Sequence, residues 1–372
     1  MKTHNPDNER IKRRYFSFLI HAHGFSEASI DAVAKALHRF ETYTQFRGFR
    51  EFHIEQAKAF KANLAEQVNG RTKDRLSKAT LHSTLNALKR FFTWLAGQPG
   101  FKSRISYEDG QYFNLSAKET RIAKARRDDR VPTLDQIRHV IATMPVATEI
   151  DRRNRALIAF TILTGARDRA VASIKLRHVD VEQGLVDQDA RQVATKFSKS
   201  FPSWFFPVGD DFVQIVAGWV NYLLKEKLWG LDDPVFPVTK VVLGPNRQFE
   251  VVGLERKHWT NATPIRKIFK MAFENARMTY FNPHSFRKTL AQLGERLCRT
   301  PEQFKAWSQN LGHEKVLTTF SSYGAVGRDR QREILSELSQ PTDTNPELEK
   351  LTKEFLSRAM KTRAGLHTKL EV

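Results

Sequence analysis

The chain has 372 residues, enough for two domains with a core each, and its 61 Lys and Arg against 41 Asp and Glu give a formal net charge of +20. This charge favours a polyanionic partner, nucleic acid first, because Lys and Arg displace condensed counterions from a phosphate backbone. No apolar run reaches membrane-spanning length, the N-terminus has no signal-peptide pattern, and the single Cys298 excludes an internal disulfide and a cysteine-based zinc site.

Helical patterns follow one another through the first hundred residues. Apolar residues recur at helical spacing in 9–22, in 25–46 behind Ser26, in 52–67, and in 77–96 behind Ser77. We therefore predict an all-helical domain in residues 1–116. The next segment, 117–131, lacks a large apolar stripe and is rich in Lys and Arg, which indicates an exposed basic linker.

A second domain is predicted in residues 132–338. It begins with a helix capped by Thr133, and an apolar helix in 154–181 is broken at Gly165. Glycine, β-branched and aromatic residues in 181–209 predict a small antiparallel sheet, after which helices and loops run to 338. The fold class is therefore mainly α with a small antiparallel sheet. The tail, 339–372, carries an amphipathic helix at 346–360.

Four polar clusters interrupt the apolar patterns of the second domain. They are TGAR with Arg167, ATKFSKS with Lys196 and Lys199, HSFR with His284 and Arg287, and LGHEKVLTTFSSY with His313 and Tyr323. Taken singly, each is compatible with a structural role, such as a capping arginine, a solvated lysine, a surface His–Arg pair or a tyrosine with a bonded hydroxyl.

Taken together, these clusters resemble the tyrosine recombinase (phage integrase) family. The order TGxR, hairpin lysine, HxxR, LGH and then a tyrosine carries the resemblance in the second domain. The preceding helical segment resembles the family's core-binding domain, so the likeness covers most of residues 9–335. It implies a helical core-binding domain and a mixed α/β catalytic domain that clamp duplex DNA, in a two-domain, Xer-like plan without an arm-binding domain. It also assigns the catalytic residues, which are Arg167, Lys196, His284, Arg287, His313 and Tyr323.

The chemistry of these side chains agrees with that assignment. Two planar guanidiniums can bind the nonbridging oxygens of a phosphodiester, where negative charge grows during attack, and one such preorganised donor is worth about 3 to 4 kcal/mol of barrier. A phenol has a pKa of about 10 and needs a base, for which His284 is the candidate. We expect His313 to donate to a nonbridging oxygen and Lys196 to protonate the leaving hydroxyl, with Lys199 as the alternative.

The implied reaction needs no cofactor. Attack by Tyr323 would leave a 3′-phosphotyrosine link and a free 5′ hydroxyl, which permits religation without ATP, and no dense carboxylate cluster for a metal is evident. We expect a site-specific recombinase or integrase for integration or excision of a mobile element. Two alternatives remain open, a noncatalytic DNA-binding protein on the same fold and a relaxing enzyme of the type IB topoisomerase kind.

The sequence departs from the family pattern at two positions. The family usually has an acidic residue three positions after the first arginine, where this chain has Ala170 and instead places Asp168 directly after Arg167. The interval from the second histidine to the tyrosine is usually nine residues, whereas His313 and Tyr323 are ten apart. We expect a local bulge or loop to absorb the additional residue.

DNA contacts are predicted on the helix at 77–96 and in the linker. On the helix we expect Lys78, Lys89 and Arg90 to lie opposite the apolar face, although a merely solvated basic face is the alternative. In the linker we expect phosphate contacts from Lys124, Arg126 and Arg127. By the resemblance, the protein should act as a homotetramer on paired sites in the cytoplasm or nucleoid, with accessory DNA-binding factors as further partners. The helix at 346–360 is then donated to the next protomer or packs on its own domain.

Overall fold

The computed structural model describes residues 4–70, 73–125 and 130–313, together with 332 and 336. Within it the chain separates into two compact units, Met1–Arg127 and Asp128–Val372. The boundary between the units falls inside the segment predicted as a linker. No helix among those described is both long and apolar enough to cross a bilayer.

The N-terminal unit contains five helices in its described part. They are α1 (Pro6–His21), α2 (Glu27–Tyr43), α3 (Ile54–Glu66), α4 (Lys78–Ala96) and α5 (Ala117–Lys124). Ser26 and Ser77 are the N-cap residues of α2 and α4, and the Ser77 hydroxyl accepts from the Thr80 amide at 3.2 Å. The first four helices therefore begin and end within a few residues of the predicted positions.

Phenylalanine rings form a large part of the core of this unit. Phe40, Phe60 and Phe92 are fully buried, and the ring of Phe52 stacks on Phe92 with 3.9 Å between centroids. Phe113, from a 3₁₀ turn at Glu108–Phe113, packs against the same rings. The apolar stripes read from the sequence thus meet in one aromatic cluster.

The first half of the predicted linker differs from the expectation. Residues Ala117–Lys124 form α5, which has a capping box between Ser116 and Glu119 and packs against α4. Glu119 also pairs with Lys78 at 3.3 Å. The apolar stripe of α5 is short because a two-turn helix on the surface buries few side chains. The apolar pattern of the sequence therefore did not reveal this helix.

The C-terminal unit is a mixed domain with a helical core. The helices in its described part are α6 (Leu134–Thr143), α7 (Glu149–Thr164), α8 (Asp168–Ser173), α9 (Asp210–Asn221), α10 (Thr263–Asn275), α11 (Pro283–Leu297) and α12 (Pro301–Asn310). A π-helical turn, Tyr222–Glu226, follows α9. Helix α7 is buried along 156–164 and lies at the centre of the core, which explains its nearly continuous apolar sequence.

The described residues of this unit contain two antiparallel sheets. The first has the order β1 (Val179–Asp180), β2 (Leu185–Gln188) and β3 (Phe201–Trp204), and its β1–β2 turn contains Gly184, as predicted. The second is a hairpin of β4 (Val238–Leu243) and β5 (Phe249–Glu255) with a register shift after Lys240. The prediction of helices and loops throughout 210–338 is wrong for this hairpin, whose outer residues are mostly exposed and follow no one-sided alternation. The tail helix predicted at 346–360 lies outside the described residues.

Candidate active site

Arg167 lies on a sharp turn between α7 and α8. Helix α7 ends at Gly165 in the left-handed conformation (φ 60°), and a Cβ there would come within 2.8 Å of the Leu311 side chain. The hydroxyl of Thr164 accepts from the Ala166 amide at 3.1 Å. Arg167 is then the N-cap residue of α8, half-buried, and burial lowers the pKa of its guanidinium from the usual value. The TGAR motif thus forms a helix end that fixes the position of the Arg167 backbone.

Arg287 connects two turns that are far apart in sequence. It lies on α11, one helical turn after His284, and only 5% of its surface is exposed. Its Nη1 donates to the Gly165 carbonyl, and its Nη2 donates to the Leu311 carbonyl at 2.5 Å and contacts His313 Nε2 at 3.1 Å. These contacts bring the TGAR, HSFR and LGH motifs together around one guanidinium.

The LGH turn is held by the sheet. The side-chain amide of Asn310, the last residue of α12, accepts from the Trp204 amide at 2.6 Å and donates to the Trp204 carbonyl at 2.9 Å. Gly312 has φ 68°, and a Cβ there would come within 2.4 Å of the Phe201 ring. Strand β3 therefore sets the position of His313, which follows directly.

Electrostatic coupling identifies the groups that surround His313. Burial, together with the charges of Arg287, Arg167, His284 and Lys196, lowers its pKa to about 4. Since arginine only donates, His313 Nε2 must accept from Arg287, which leaves the ring proton on Nδ1. His313 is thus neutral at pH 7, with Nδ1 as its donor.

His284 has a similar environment, although much of its side chain is accessible. The protein atoms packed around its ring lower its pKa, and Arg287, Lys288 and Arg167 contribute in the same direction while Asp168 opposes them. The structure thus brings five of the six predicted catalytic residues into one electrostatic group. A neutral imidazole at pH 7 can accept a proton.

The two lysine candidates occupy the connection between β2 and β3. Lys196 begins a 3₁₀ turn, Lys196–Ser198, rather than lying on a strand, and it is exposed. Lys199 is half-buried and lines, with His313, an apolar cavity of about 1100 Å³. The charge of Lys196 lowers the pKa of His313, and Lys199 lines the same cavity as His313. Both lysines therefore stay within the candidate site.

Ala170 and Asp168 lie on different sides of α8. Ala170 is buried in the domain, with 1% of its surface exposed. The Asp168 carboxylate pairs with Arg266 of α10, whose Nε and Nη2 donate to the same oxygen at 2.9 and 2.7 Å. Arg266 and Asp168 line a cleft of about 410 Å³ together with Arg167 and His284. The sequence did not single out Arg266, because no motif surrounds it and its partner is 98 residues away.

A family model for the phage integrase family matches residues 130–329. This range covers more than half of the chain and contains all six candidate catalytic residues. The chain belongs to the phage integrase family. The family, also called the tyrosine recombinases, supports site-specific recombination as the general activity. A search of curated protein sequences gave no match.

Solved structures of integrases and recombinases share the fold of this phage integrase family member. A lambda integrase dimer bound to a COC′ core site has a TM-score of 0.57 at 14% identity, over 86% of this chain and 78% of that chain. The Tn1549 transposon integrase in complex with transposon right end DNA has a TM-score of 0.56 at 12% identity, over 88% and 99%. XerH site-specific recombinase bound to difH substrate, in a pre-cleavage complex, has a TM-score of 0.56 at 14% identity, over 89% and 85%.

Tyr323, within the matched range of the phage integrase model, lies outside the residues that the structure describes, and so do Arg126 and Arg127. Whether a bulge absorbs the additional residue before Tyr323 therefore stays a prediction. Within the described ranges, no group of three or more His, Cys, Asp or Glu side chains is placed to hold a metal ion.

The predicted DNA-binding residues of α4 differ in their surroundings. Arg90 on α4 is exposed, and so is Lys124 at the end of α5. Lys89 is half-buried, and its ammonium donates to the Asn114 side chain at 3.1 Å, while Lys78 pairs with Glu119. Lys78 and Lys89 therefore contact the segment that follows α4 and packs against it, and their role in DNA binding stays a prediction.

Proposed function

We propose that this protein is a site-specific recombinase that cleaves and rejoins duplex DNA through a 3′-phosphotyrosine intermediate on Tyr323. The observation that carries the proposal is the contact of Arg287 with the Gly165 carbonyl, the Leu311 carbonyl and His313, because it joins three motifs of a family of strand-transfer enzymes at one point. The positive charge of the chain, +20, supports DNA as the substrate.

In this proposal the scissile phosphate binds beside Arg167 and Arg287. Their guanidiniums stabilise the charge that grows on the nonbridging oxygens, and His313 donates to one of these oxygens from Nδ1. Because burial and neighbouring cations keep His313 neutral, it adds a directed hydrogen bond without a further positive charge. The fixed donors stabilise the transition state more than the ground state.

The covalent step moves two protons. The Tyr323 oxygen attacks phosphorus and its proton passes to His284, whose lowered pKa leaves it neutral and able to accept. The bond from phosphorus to the 5′ oxygen breaks, and Lys196 supplies the proton that makes the leaving group a hydroxyl. Lys199 is the alternative donor, since it shares a cavity wall with His313. The reverse sequence with a new 5′ hydroxyl rejoins the strand.

The N-terminal helical unit supplies DNA binding in this proposal. Arg90 and Lys124, which are exposed, together with Lys78, Lys89, Arg126 and Arg127, contact backbone phosphates. Two paired sites require four active centres, so a homotetramer is proposed as the active assembly. The biological role that we propose is integration or excision of a mobile element.

The test begins with duplexes selected from a random pool by their binding to the Tyr323→Phe variant. Nicked versions of the selected site, which lose a short strand on cleavage, are then incubated with wild-type protein and analysed by denaturing electrophoresis. We expect a covalent protein–DNA band with wild type and none with Tyr323→Phe. The matched control is Tyr280→Phe, because Tyr280 interacts electrostatically with Arg266 and Asp168 of the candidate cleft.

Other outcomes separate the alternatives. Verified binding without any covalent band would contradict the enzymatic proposal and favour a noncatalytic DNA-binding protein. A band that disappears in Tyr280→Phe and persists in Tyr323→Phe would refute the assignment of the nucleophile. Persistence of the band in EDTA is the expected result for a reaction without metal. Exchange of flanking sequences between two sites, rather than relaxation of supercoils alone, distinguishes a recombinase from a topoisomerase.

A further inference from the structure

The family pattern places an acidic residue where this chain has Ala170, so the turn that carries Arg167 requires another means of support. Ala170 is buried and provides no charged group. The nearest carboxylate in sequence is Asp168, the residue that follows Arg167, and only 23% of its side chain is exposed. Its Oδ2 accepts from both Nε and Nη2 of Arg266, at 2.9 and 2.7 Å.

The contacts of the turn come from both sides of Arg167. On the N-terminal side, Arg287 of α11 donates to the Gly165 carbonyl. On the C-terminal side, Arg266 of α10 holds the Asp168 carboxylate. Since a guanidinium that donates twice fixes direction as well as distance, each contact restricts rotation of the backbone between them. The position of the Arg167 side chain depends on that backbone.

We propose that Arg266 and Asp168 form a positioning pair that holds Arg167 in place for the reaction. The inference rests on the proposed function. The pair acts through Arg167 and does not touch the reacting phosphate in this proposal. Arg266 of α10 thereby supports Arg167 through Asp168, a role that Ala170 cannot fill.

Geometry decides between this role and that of an ordinary surface ion pair. An exposed ion pair contributes little to stability. The Asp168–Arg266 pair instead forms part of the wall of the cleft that contains Arg167 and His284. A displacement of Arg167 of about 1 Å is expected to slow the chemical step about 100-fold, since the transition state is sensitive to such shifts.

The test compares Arg266→Gln and Asp168→Ala with a matched control. The control is Arg256→Gln, because Arg256 pairs with Asp233 at similar side-chain exposure, 54% and 21% against 58% and 23%. Single-turnover formation of the covalent adduct on the selected nicked site gives the rate at saturating DNA, binding titrations give Kd, and thermal unfolding gives Tm.

We expect each positioning variant to lower the saturated rate by about 10- to 100-fold, with Kd and Tm close to those of Arg256→Gln. The double variant Asp168→Ala/Arg266→Gln should be no slower than the slower single variant, because the two residues act as one unit. A weaker Kd with an unchanged saturated rate would overturn the proposal and make Arg266 a direct phosphate contact. Additive losses would also overturn it.

The two proposals fail in different ways. A wild-type protein that binds the site without forming an adduct contradicts the proposed function and the inference with it. A wild-type adduct whose rate is unchanged in Arg266→Gln contradicts the inference alone.

Discussion

At the scale of single residues, buried Arg287 determines which groups meet in the site. A buried arginine requires hydrogen-bond partners, and Arg287 finds two in backbone carbonyls, Gly165 and Leu311, each at the end of a helix. The last carbonyls of a helix have no hydrogen-bond partner within the helix. The Arg287 guanidinium donates to these carbonyls, and they in turn supply the acceptors that the buried guanidinium needs. The same arrangement places a permanent positive charge beside His313.

The depressed pKa of His313 predicts a loss of stability in acid. With a pKa of about 4 in the folded state and about 6.5 in the unfolded state, His313 takes up a proton on unfolding between these values. The contribution of neutral His313 to the free energy of unfolding is fully present above pH 6.5. It is lost as the pH falls toward 4, by up to about 1.4 kcal/mol per pH unit. Urea unfolding at pH 7 and pH 5 should therefore show a smaller difference in His313→Gln than in wild type.

The control for this measurement is His53→Gln, since His53 is an exposed residue of the N-terminal unit. It should retain the wild-type difference. An equal difference in wild type and His313→Gln would refute the expected titration.

At the scale of elements, the junction of β3 and α12 supports the LGH turn. Asn310 substitutes for a neighbouring strand by exchanging two hydrogen bonds with the backbone of Trp204, and Ser203 adds a bond to the Asn310 carbonyl at 3.1 Å. Gly312 then reverses the chain in the left-handed conformation directly against Phe201. His313 follows this reversal without an intervening flexible residue.

Gly312→Ala is predicted to impair both stability and activity. The Cβ of the alanine would meet the Phe201 ring at 2.4 Å, and the alanine backbone would have to adopt φ 68°. We expect a loss of about 1 to 3 kcal/mol in unfolding free energy and a slower covalent step, because His313 moves with the turn.

The matched control for this prediction is Gly218→Ala in α9, where a Cβ would meet no atom within 4 Å. This variant should be neutral or more stable by up to about 1 kcal/mol. Equal stabilities of the two variants in chemical unfolding would contradict the argument.

Helices α1 and α2 are joined by a buried ion pair. Lys12 lies 2.7 Å from Glu41, whose side chain is inaccessible and also accepts from Asn8 at 3.1 Å. Glu41→Ala should destabilise the N-terminal unit by about 3 kcal/mol, because it leaves Lys12 with only the partly exposed Glu9 as an ion-pair partner. Glu66→Ala, which removes a 2.6 Å pair with Arg75 at 66% and 71% exposure, should cost about 0.5 kcal/mol or less in the same unfolding experiment.

At the scale of the whole molecule, the excess of basic residues predicts a strong dependence of DNA binding on salt. Each neutralised phosphate releases counterions, so the logarithm of the binding constant should fall linearly with that of the salt concentration, by about 0.9 per contact. Lys124→Gln should reduce the slope by about 1, as expected for one lost phosphate contact. Fluorescence anisotropy over a range of KCl concentrations measures it.

Lys240→Gln removes one exposed charge from β4 and serves as the control, since this residue is outside the predicted DNA contacts. A Lys240→Gln slope reduced as much as that of Lys124→Gln would contradict a specific contact at Lys124.

The sequence predicted the helices with strong apolar stripes and the first sheet. It did not predict the β4–β5 hairpin, because Phe249 and its neighbours are exposed and the alternation that marks a half-buried strand is missing. It also did not separate Lys89 from Arg90, since the segment that covers Lys89 follows α4 in sequence but packs back upon it. Periodicity reports burial on one element and not which later segment provides it.

The motifs alone determined the family, the order of the site residues and the chemistry that those residues can perform, because a guanidinium, an imidazole and a phenol have these capacities in any fold. Only the tertiary structure decided how the motifs meet. It placed Arg287 between Gly165 and Leu311 and made Nδ1 the donor of His313. It also joined Asp168 to Arg266. These choices depend on contacts between residues far apart in the chain, and distances in space are not encoded in spacing along the sequence.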